Sequence, residues 1–243
     1  MSPTRRFIVV TVAAVLGVAL TARLGVWQLS RAAEKNALQA MIDTRGALPP
    51  LDGFALAHDA SEADAQHYRP VVLHGRWLRG RTLFLDNRQM NGRPGFFVVT
   101  PLRLEGRSDA VLVQRGWAPR DIRDRTIVPA VSEPEGSVEI RGTIAPPPSR
   151  LFEFSGAASG TIRQNLDLTS LAAEIALPLA PVSILQSDTP ATEGDGLLRQ
   201  WPRPAVDVQK HYGYAFQWFA MSALMTGLYV WLQLVRPRLR RSA

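Results

Sequence analysis

From Tyr212 to Val235 the chain runs for 24 residues without a single Asp, Glu, Lys, Arg or His. As a helix this stretch reaches roughly 36 Å, enough to cross a hydrocarbon core of about 30 Å with some tilt. His211 stands at its first turn, and Arg236, Arg238, Arg240 and Arg241 close it. A helix face drawn through His211 at spacings of three, four and seven collects Tyr214, Ala215, Trp218, Ser222, Met225 and Tyr229. That face is aromatic and soft, and it reads as a wall for a flat hydrophobic ligand. His, Tyr and Trp also suit the headgroup level of a bilayer, and for His211 taken alone anchoring is the commoner role.

A second apolar run, Phe7 to Leu24, follows Arg5 and Arg6 and is followed by Trp27. Ala13, Gly17, Thr21 and Gly25 fall four apart on one stripe, the pattern that lets two membrane helices approach closely, so this span is expected to pack against the one starting at His211. An Arg-flanked apolar run also describes a secretory signal, but no clean small-x-small cleavage site precedes Arg23, and the segment reads as a retained anchor. Two spans place both termini on one side. The four Arg after the second span put that side in the cytoplasm, since long intervening loops translocate largely regardless of charge. The expected organisation is a cytoplasmic stretch 1–6, a transmembrane helix over 7–27, an extracytoplasmic domain over 28–210, a second transmembrane helix over 211–235 and a basic cytoplasmic tail, 236–243. In a bacterium the middle domain is periplasmic and the membrane is the inner one.

The formal net charge is +7. Residues 30–210 hold 21 basic and all 21 acidic residues, so the excess lies beside the apolar spans. Basic residues there orient a membrane protein against lipid, and nucleic-acid binding is rejected. The absence of cysteine removes disulfides, covalent haem, thiolate zinc, iron–sulfur and copper-carrier chemistry. Metal chemistry falls to His58, His67, His74 and His211.

Gln28 to Thr44 reads as a helix leaving the membrane, ended by Pro49, Pro50 and Gly53, and the acidic segment Leu56 to Ala65 as a short helix or loop. From Tyr68 the pattern turns to strands: Val71–Leu78, Arg81–Gln89, Phe96–Leu104, Ala110–Trp117, Ser137–Ile144 and Val182–Gln186. Asn91-Gly92 is a hairpin turn signal. Leu151–Phe154 and Thr161–Leu166 read as further strands, and Leu168–Ile175 as a helix. The fold class is thus two transmembrane helices flanking an extracytoplasmic α+β domain, mainly an antiparallel sheet curled toward a barrel, with a few helices.

No Walker loop, GxGxxG, GxSxG or HExxH is present. Asp121 with Asp124, and Asp86, Glu105 and Asp109 around the hairpin, read as turn residues, and His67 and His74, seven apart, project to opposite strand faces. With no active site visible, binding or assembly is expected and not catalysis.

Three separated stretches carry a resemblance. Leu24-Gly25-Val26-Trp27-Gln28-Leu29-Ser30-Arg31, with Lys35 a turn later, resembles the LGxWQxxR segment at the end of the first span in the surfeit locus protein one family. Val113-Gln114-Arg115-Gly116-Trp117-Ala118-Pro119 is similar to its NRGWVP strand, and Gly95 to Pro101 to the run just upstream. His211, Tyr214, Ala215, Trp218 and Phe219 match its HxxYAxxWF opening of the second span. Lys210 and Gln114 stand where the family commonly has Asn. The resemblance implies assembly of haem-copper cytochrome c oxidase, with bacterial members resembling haem a binding proteins that aid insertion of the cofactor into the catalytic subunit, and with haem a synthase as a further partner. It implies His211 as an axial ligand of the haem iron, with Tyr214 and Trp218 beside the cofactor.

Arg115, Arg199, Arg203 and Lys210 are candidates for the haem propionates by charge, Arg203 foremost. Met221 and Met225 read as packing residues. Trp27, Gln28, Arg31, Arg115, Gly116 and Trp117 form a second group, either structural or facing the partner oxidase. The alternative function is a cofactor-free membrane scaffold that chaperones the oxidase catalytic subunit. An anchored periplasmic enzyme is a weaker third reading.

Overall fold

The structure is a computed structural model that describes residues 2–124, 126–152, 160–202 and 208–239. The chain divides into two compact units, one made of Met1–Ala40 with Pro204–Ala243 and the other of Met41–Arg203.

The first unit is an antiparallel pair of helices. Helix α1 runs Pro3–Gly46, 44 residues in one piece, so the apolar span and the helix expected after it are continuous. No Pro or helix-ending Gly interrupts the stretch between Phe7 and Thr44, and its length is about 66 Å at 1.5 Å per residue. The second helix of the pair, Val208–Tyr229, passes through a π-helical turn at Val230–Val235 into a last helical turn, Arg236–Leu239. Both helices are long and apolar enough to cross a membrane.

The second unit opens with helix α2, Ala60–Gln66, whose first turn is capped by the Asp59 carboxylate accepting from the Ser61 and Glu62 N–H groups. Strands β1 (Pro70–Trp77), β2 (Leu83–Met90), β3 (Arg93–Leu104), β4 (Ala110–Pro119), β5 (Val138–Ala145), β6 (Ile162–Arg163) and β7 (Leu179–Gln186) follow, with helix α3 at Leu168–Ile175. Asn91 and Gly92 both take positive φ, 53° and 73°, and join β2 to β3 as the sequence predicts. The expected strand over Thr161–Leu166 is reduced to two residues. Of Leu151–Phe154, the first two residues form no strand and the last two lie outside the described residues.

Five strands close on themselves. The hydrogen-bonded order is β1-β5-β7-β4-β3, and β3 returns to β1 through Gly75↔Leu104, Arg76↔Arg103 and Trp77↔Leu102. The twelve-residue β3 makes this possible: its first half pairs with β2, and its last residues, on the same edge, pair with β1. Strands β2 and β6 therefore lie outside the ring. The ring is mainly antiparallel, as expected, and one pair in it, β4 with β7, is parallel. An odd number of strands cannot alternate in direction all the way round a closed ring, so at least one parallel pair is forced. A second parallel pair joins β2 to β6.

Leu73, Leu102, Val113, Ile140, Ile144 and Ile184 fill the barrel interior. Helix α3 covers an outer cluster of Leu83, Leu85, Val99, Leu112 and Leu171, and Phe84, Phe96 and Val98 pack under Leu197. Because β3 and β4 are covered on both faces, β4 is buried along nearly its whole length. This is why it reads in the sequence as an apolar run without alternation.

Candidate functional site

In the helix pair, small residues on α1 receive large ones from the second helix, here α4. A Cβ added at Gly17 would stand 3.1 Å from Met225 Sδ, and one at Gly25 only 2.7 Å from the Phe219 ring. Thr21 between them is buried, its hydroxyl returned to the Gly17 carbonyl at 2.8 Å. Polar pairs tie the two helices at intervals: Thr11 Oγ1 lies 2.8 Å from Tyr229 Oη, Ser222 Oγ donates to Val18 O at 3.4 Å, and Asn36 Nδ2 donates to Tyr212 Oη at 3.2 Å. The expected stripe is thus the packing face, except that Ala13 is exposed and Gln28 and Ala32 continue the seam.

This packing corrects one expectation. The face of α4 through Ala215, Ser222, Met225 and Tyr229 is not an open wall for a flat ligand, because it is taken up by α1. The end nearest His211 remains accessible. Tyr214 is 50 % exposed there, and Trp218 is half-buried one turn further in.

His211 is held by α1. Its Nδ1 lies 2.7 Å from Gln28 Oε1, and Gln28 is itself only 9 % exposed. An amide oxygen accepts and does not donate, so the proton of the neutral imidazole sits on Nδ1 and the Nε2 lone pair is left free. A buried glutamine in an apolar helix needs such a partner, and a metal-ligating histidine is commonly oriented by a hydrogen bond from its other ring nitrogen. The donor set therefore fits an iron with one imidazole ligand.

The other predicted residues fall elsewhere. Trp27 is exposed, and Arg31 Nη1 donates to Glu34 Oε2 at 2.6 Å on the surface of α1. Arg203 lies outside the described residues. Arg199 is not available for a propionate: it is buried and committed to Asp188 at 3.1 Å and to Asp195. His58 faces the Arg107 guanidinium, His67 lies 3.6 Å from Asp64 and His74 3.5 Å from Glu139. Among the described residues no group of three or more His, Cys, Asp or Glu could hold a metal ion.

In the barrel, Arg115, Gly116 and Trp117 each have a distinct environment. Trp117 is buried with its indole N–H donating to Arg88 O at 2.9 Å, and its backbone exchanges hydrogen bonds with Leu198 at 2.7 and 2.8 Å. Gly116 lies under that strand crossing, where a Cβ would stand 2.7 Å from Leu197 Cβ. Gly95, on the neighbouring strand, leaves the room that the Trp117 ring occupies. Arg115 points elsewhere, its guanidinium 4.5 Å over the Trp77 ring.

Comparison with known proteins places the chain. Residues 15–223 match the SURF1 family, a span that contains all the quoted motifs. The chain belongs to the SURF1 family. It is 25 % identical over 237 residues to a SURF1-like protein of Drosophila melanogaster, covering 91 % of this chain and 76 % of that one. It is 23 % identical over 209 residues to a SURF1-like protein of Rickettsia bellii, covering 85 % and 83 %. It is also similar to the cytochrome oxidase assembly protein SHY1 of Saccharomyces cerevisiae, 31 % identical over 94 residues, 39 % of this chain and 24 % of that one. In this SURF1 family chain, Gln28 joins His211 directly, a link between two of its sequence motifs. The signal in the sequence was a glutamine one turn beyond a small-residue stripe.

Proposed function

We propose that this protein is a membrane-anchored assembly factor for a haem-copper cytochrome c oxidase, a carrier and not an enzyme, which binds haem a through His211 and aids its insertion into the catalytic subunit. The observation that carries the reading is the Gln28 hydrogen bond, which fixes the His211 tautomer and leaves Nε2 as a ligand. The oxidase role is supported by the similarity to the yeast cytochrome oxidase assembly protein SHY1. Both helices cross a bacterial inner membrane with the termini in the cytoplasm, and residues 28–210 stand in the periplasm, where haem a synthase is the expected donor.

Haem a brings an iron centre and a long isoprenoid tail. An apolar groove of about 320 Å³, lined by Ala14, Val15, Val18, Ala19, Thr226 and Tyr229, lies along the same helix pair. Val18, at the near end of this groove, is ten residues along α1 from Gln28, about 15 Å, and the groove would hold the apolar tail if the iron were bound at His211. Tyr214 supplies an aromatic edge to the ring. A single strong ligand suits a carrier, which must release what it holds.

The test is the optical spectrum of full-length protein purified from cells that make haem a, beside His211→Ala prepared identically. Wild type carrying haem a and a folded variant lacking it is the expected result. If both are colourless, the protein is a scaffold for the oxidase subunit and His211 is an interface anchor. Haem in both would place the ligand elsewhere.

A further inference from the structure

A cleft of about 800 Å³ opens in the barrel unit between the early part of β5 and the chain that follows β7. Arg115 and Gln186 line it, 6 % and 4 % exposed. Arg115 Nε and Nη1 and Gln186 Oε1 are buried with no hydrogen-bond partner among the described residues.

A β-bulge puts Arg115 there. Val98 pairs with Gly116 and Val99 with Gln114, so Arg115 is the extra residue opposite nothing, and such an insertion re-aims a side chain. The carboxylates around it are engaged by other donors. Glu139 accepts from Arg141 at 2.7 Å, and Asp188 and Asp195 accept from Arg199. Glu133 accepts from Thr82 Oγ1 and the Gly80 N–H. Burial pulls the Arg115 guanidinium down from its ordinary value, and the charges of Asp195 and Glu133 do not offset it. One buried positive charge without a direct counter-ion among the described residues favours a single monoanion, and the surrounding acids disfavour a doubly charged phosphate.

The same cleft has a free strand edge. Ser187 N–H donates to Arg141 O at 2.9 Å, so Arg141, and with it Glu139 two residues earlier, turns its backbone groups toward the β7 side. The β5–β7 ladder begins only at Gly142↔Gln186, and the chain then leaves at Asp188 for a 3₁₀ turn, Pro190–Thr192. On the other side, His74, the register partner of Glu139, gives its carbonyl to the Glu105 N–H. The Glu139 N–H and C=O therefore have no backbone partner among the described residues.

We propose that this cleft binds an extended polypeptide segment, which pairs its backbone with the free N–H and C=O of Glu139 and seats one carboxylate on Arg115. The Trp77 ring backs the guanidinium, and Gln186 Oε1 accepts from a donor of the incoming segment. The proposal does not depend on haem binding, since every group it uses lies in the barrel unit.

The experiment uses the full-length protein in detergent with ¹⁵N-arginine, following the Arg115 Nε–H resonance assigned through Arg115→Lys. The probe is a pool of roughly six-residue peptides of Val and Thr ending in a free α-carboxylate, compared with the same pool amidated and with glutarate. The expected result is a saturable shift with the carboxylate pool, at least about tenfold weaker with the amidated pool, and, by calorimetric titration, loss of that preference in Arg115→Gln. Equal response to both pools, or no saturation by either up to about 5 mM, overturns the proposal. Glutarate saturating at the same concentration as the peptides overturns the strand component and leaves a small-carboxylate site. The comparison of pools on the wild-type protein decides the matter even if Arg115→Gln does not fold.

Discussion

Gln28 and His211, 183 positions apart in the chain, meet across two antiparallel helices with 2.7 Å between Oε1 and Nδ1. Replacing Gln28 with Leu keeps the volume near that of the amide and removes the acceptor, so the imidazole loses its fixed tautomer and orientation. Haem a affinity is expected to fall about 10- to 100-fold, read by absorbance titration of the purified protein. Gln28→Glu, which keeps an acceptor oxygen, should bind within a few-fold of wild type. Equal affinity for Gln28→Leu would detach Gln28 from the ligand.

The seam between α1 and α4 yields a second test. At Gly25 an added Cβ would meet the Phe219 ring at 2.7 to 2.9 Å, so Gly25→Leu should force the helices apart at this point, and Phe219→Ala in the same chain should restore much of the contact. The chain has no cysteine, so Val18→Cys with Ser222→Cys gives a background-free pair for a short bis-maleimide. Cross-linking should drop several-fold in the Gly25 variant and recover in the double variant. Unchanged cross-linking would show that the pair tolerates the larger side chain.

Gly95 and Trp117 make the corresponding test in the barrel. A Cβ at Gly95 would stand 2.2 Å from Ala118 O and 2.5 Å from the Trp117 ring, and both belong to a fully covered strand that cannot retreat. Gly95→Ala is expected to cost about 2–3 kcal/mol and to lower Tm by roughly 5–10 °C. Thermal unfolding followed by near-ultraviolet circular dichroism reads it. A Tm within a degree of wild type would mean that the strand pair relaxes.

The helix pair and most strands were legible because their signals are local. An uncharged run, a stripe of small residues, Asn91-Gly92 and the β-branched runs each act within a few positions. The closure of the ring was not legible, because β1 meets β3 and β4 meets β7 through pairings far apart in sequence, and the parallel direction follows from strand number alone. The role of Arg115 was hidden for a related reason. Its bulge exists only against the register of β3, and its charge reads as a candidate for the haem propionates until the strand is seen to be covered. His211 could be singled out at its helix start, but its neighbour Gln28 could be paired with it only once the two helices were set in register.

Two groups in the interior of the barrel unit contribute to its response to acid. Burial pushes the His67 imidazole down, Arg45 adds to the effect and Asp64 opposes it. The unfolded chain then takes up a proton near the ordinary value of about 6.5 while the folded one resists, so stability from neutral His67 is full above that pH and is lost as pH falls through the lowered value. At Asp109, burial works to raise the carboxyl, but hydrogen bonds and charge from Arg107 outweigh it and hold it below the usual range. Arg107 donates to that carboxylate at 2.8 and 2.6 Å and also binds the Gly53 and Leu56 carbonyls. The Asp109 contribution is therefore present above the ordinary carboxylate range and is lost at still lower pH. Acid weakening should come in two stages, measured by denaturant unfolding between about pH 7.5 and 3. His67→Gln should flatten the upper stage and leave the lower one. Asp109→Asn should reduce the lower stage, to which Asp59, Asp124, Glu139 and Asp167 also contribute, and, by leaving buried Arg107 without its counter-ion, cost about 3 kcal/mol at neutral pH. An unchanged upper stage in His67→Gln would remove His67 from this account.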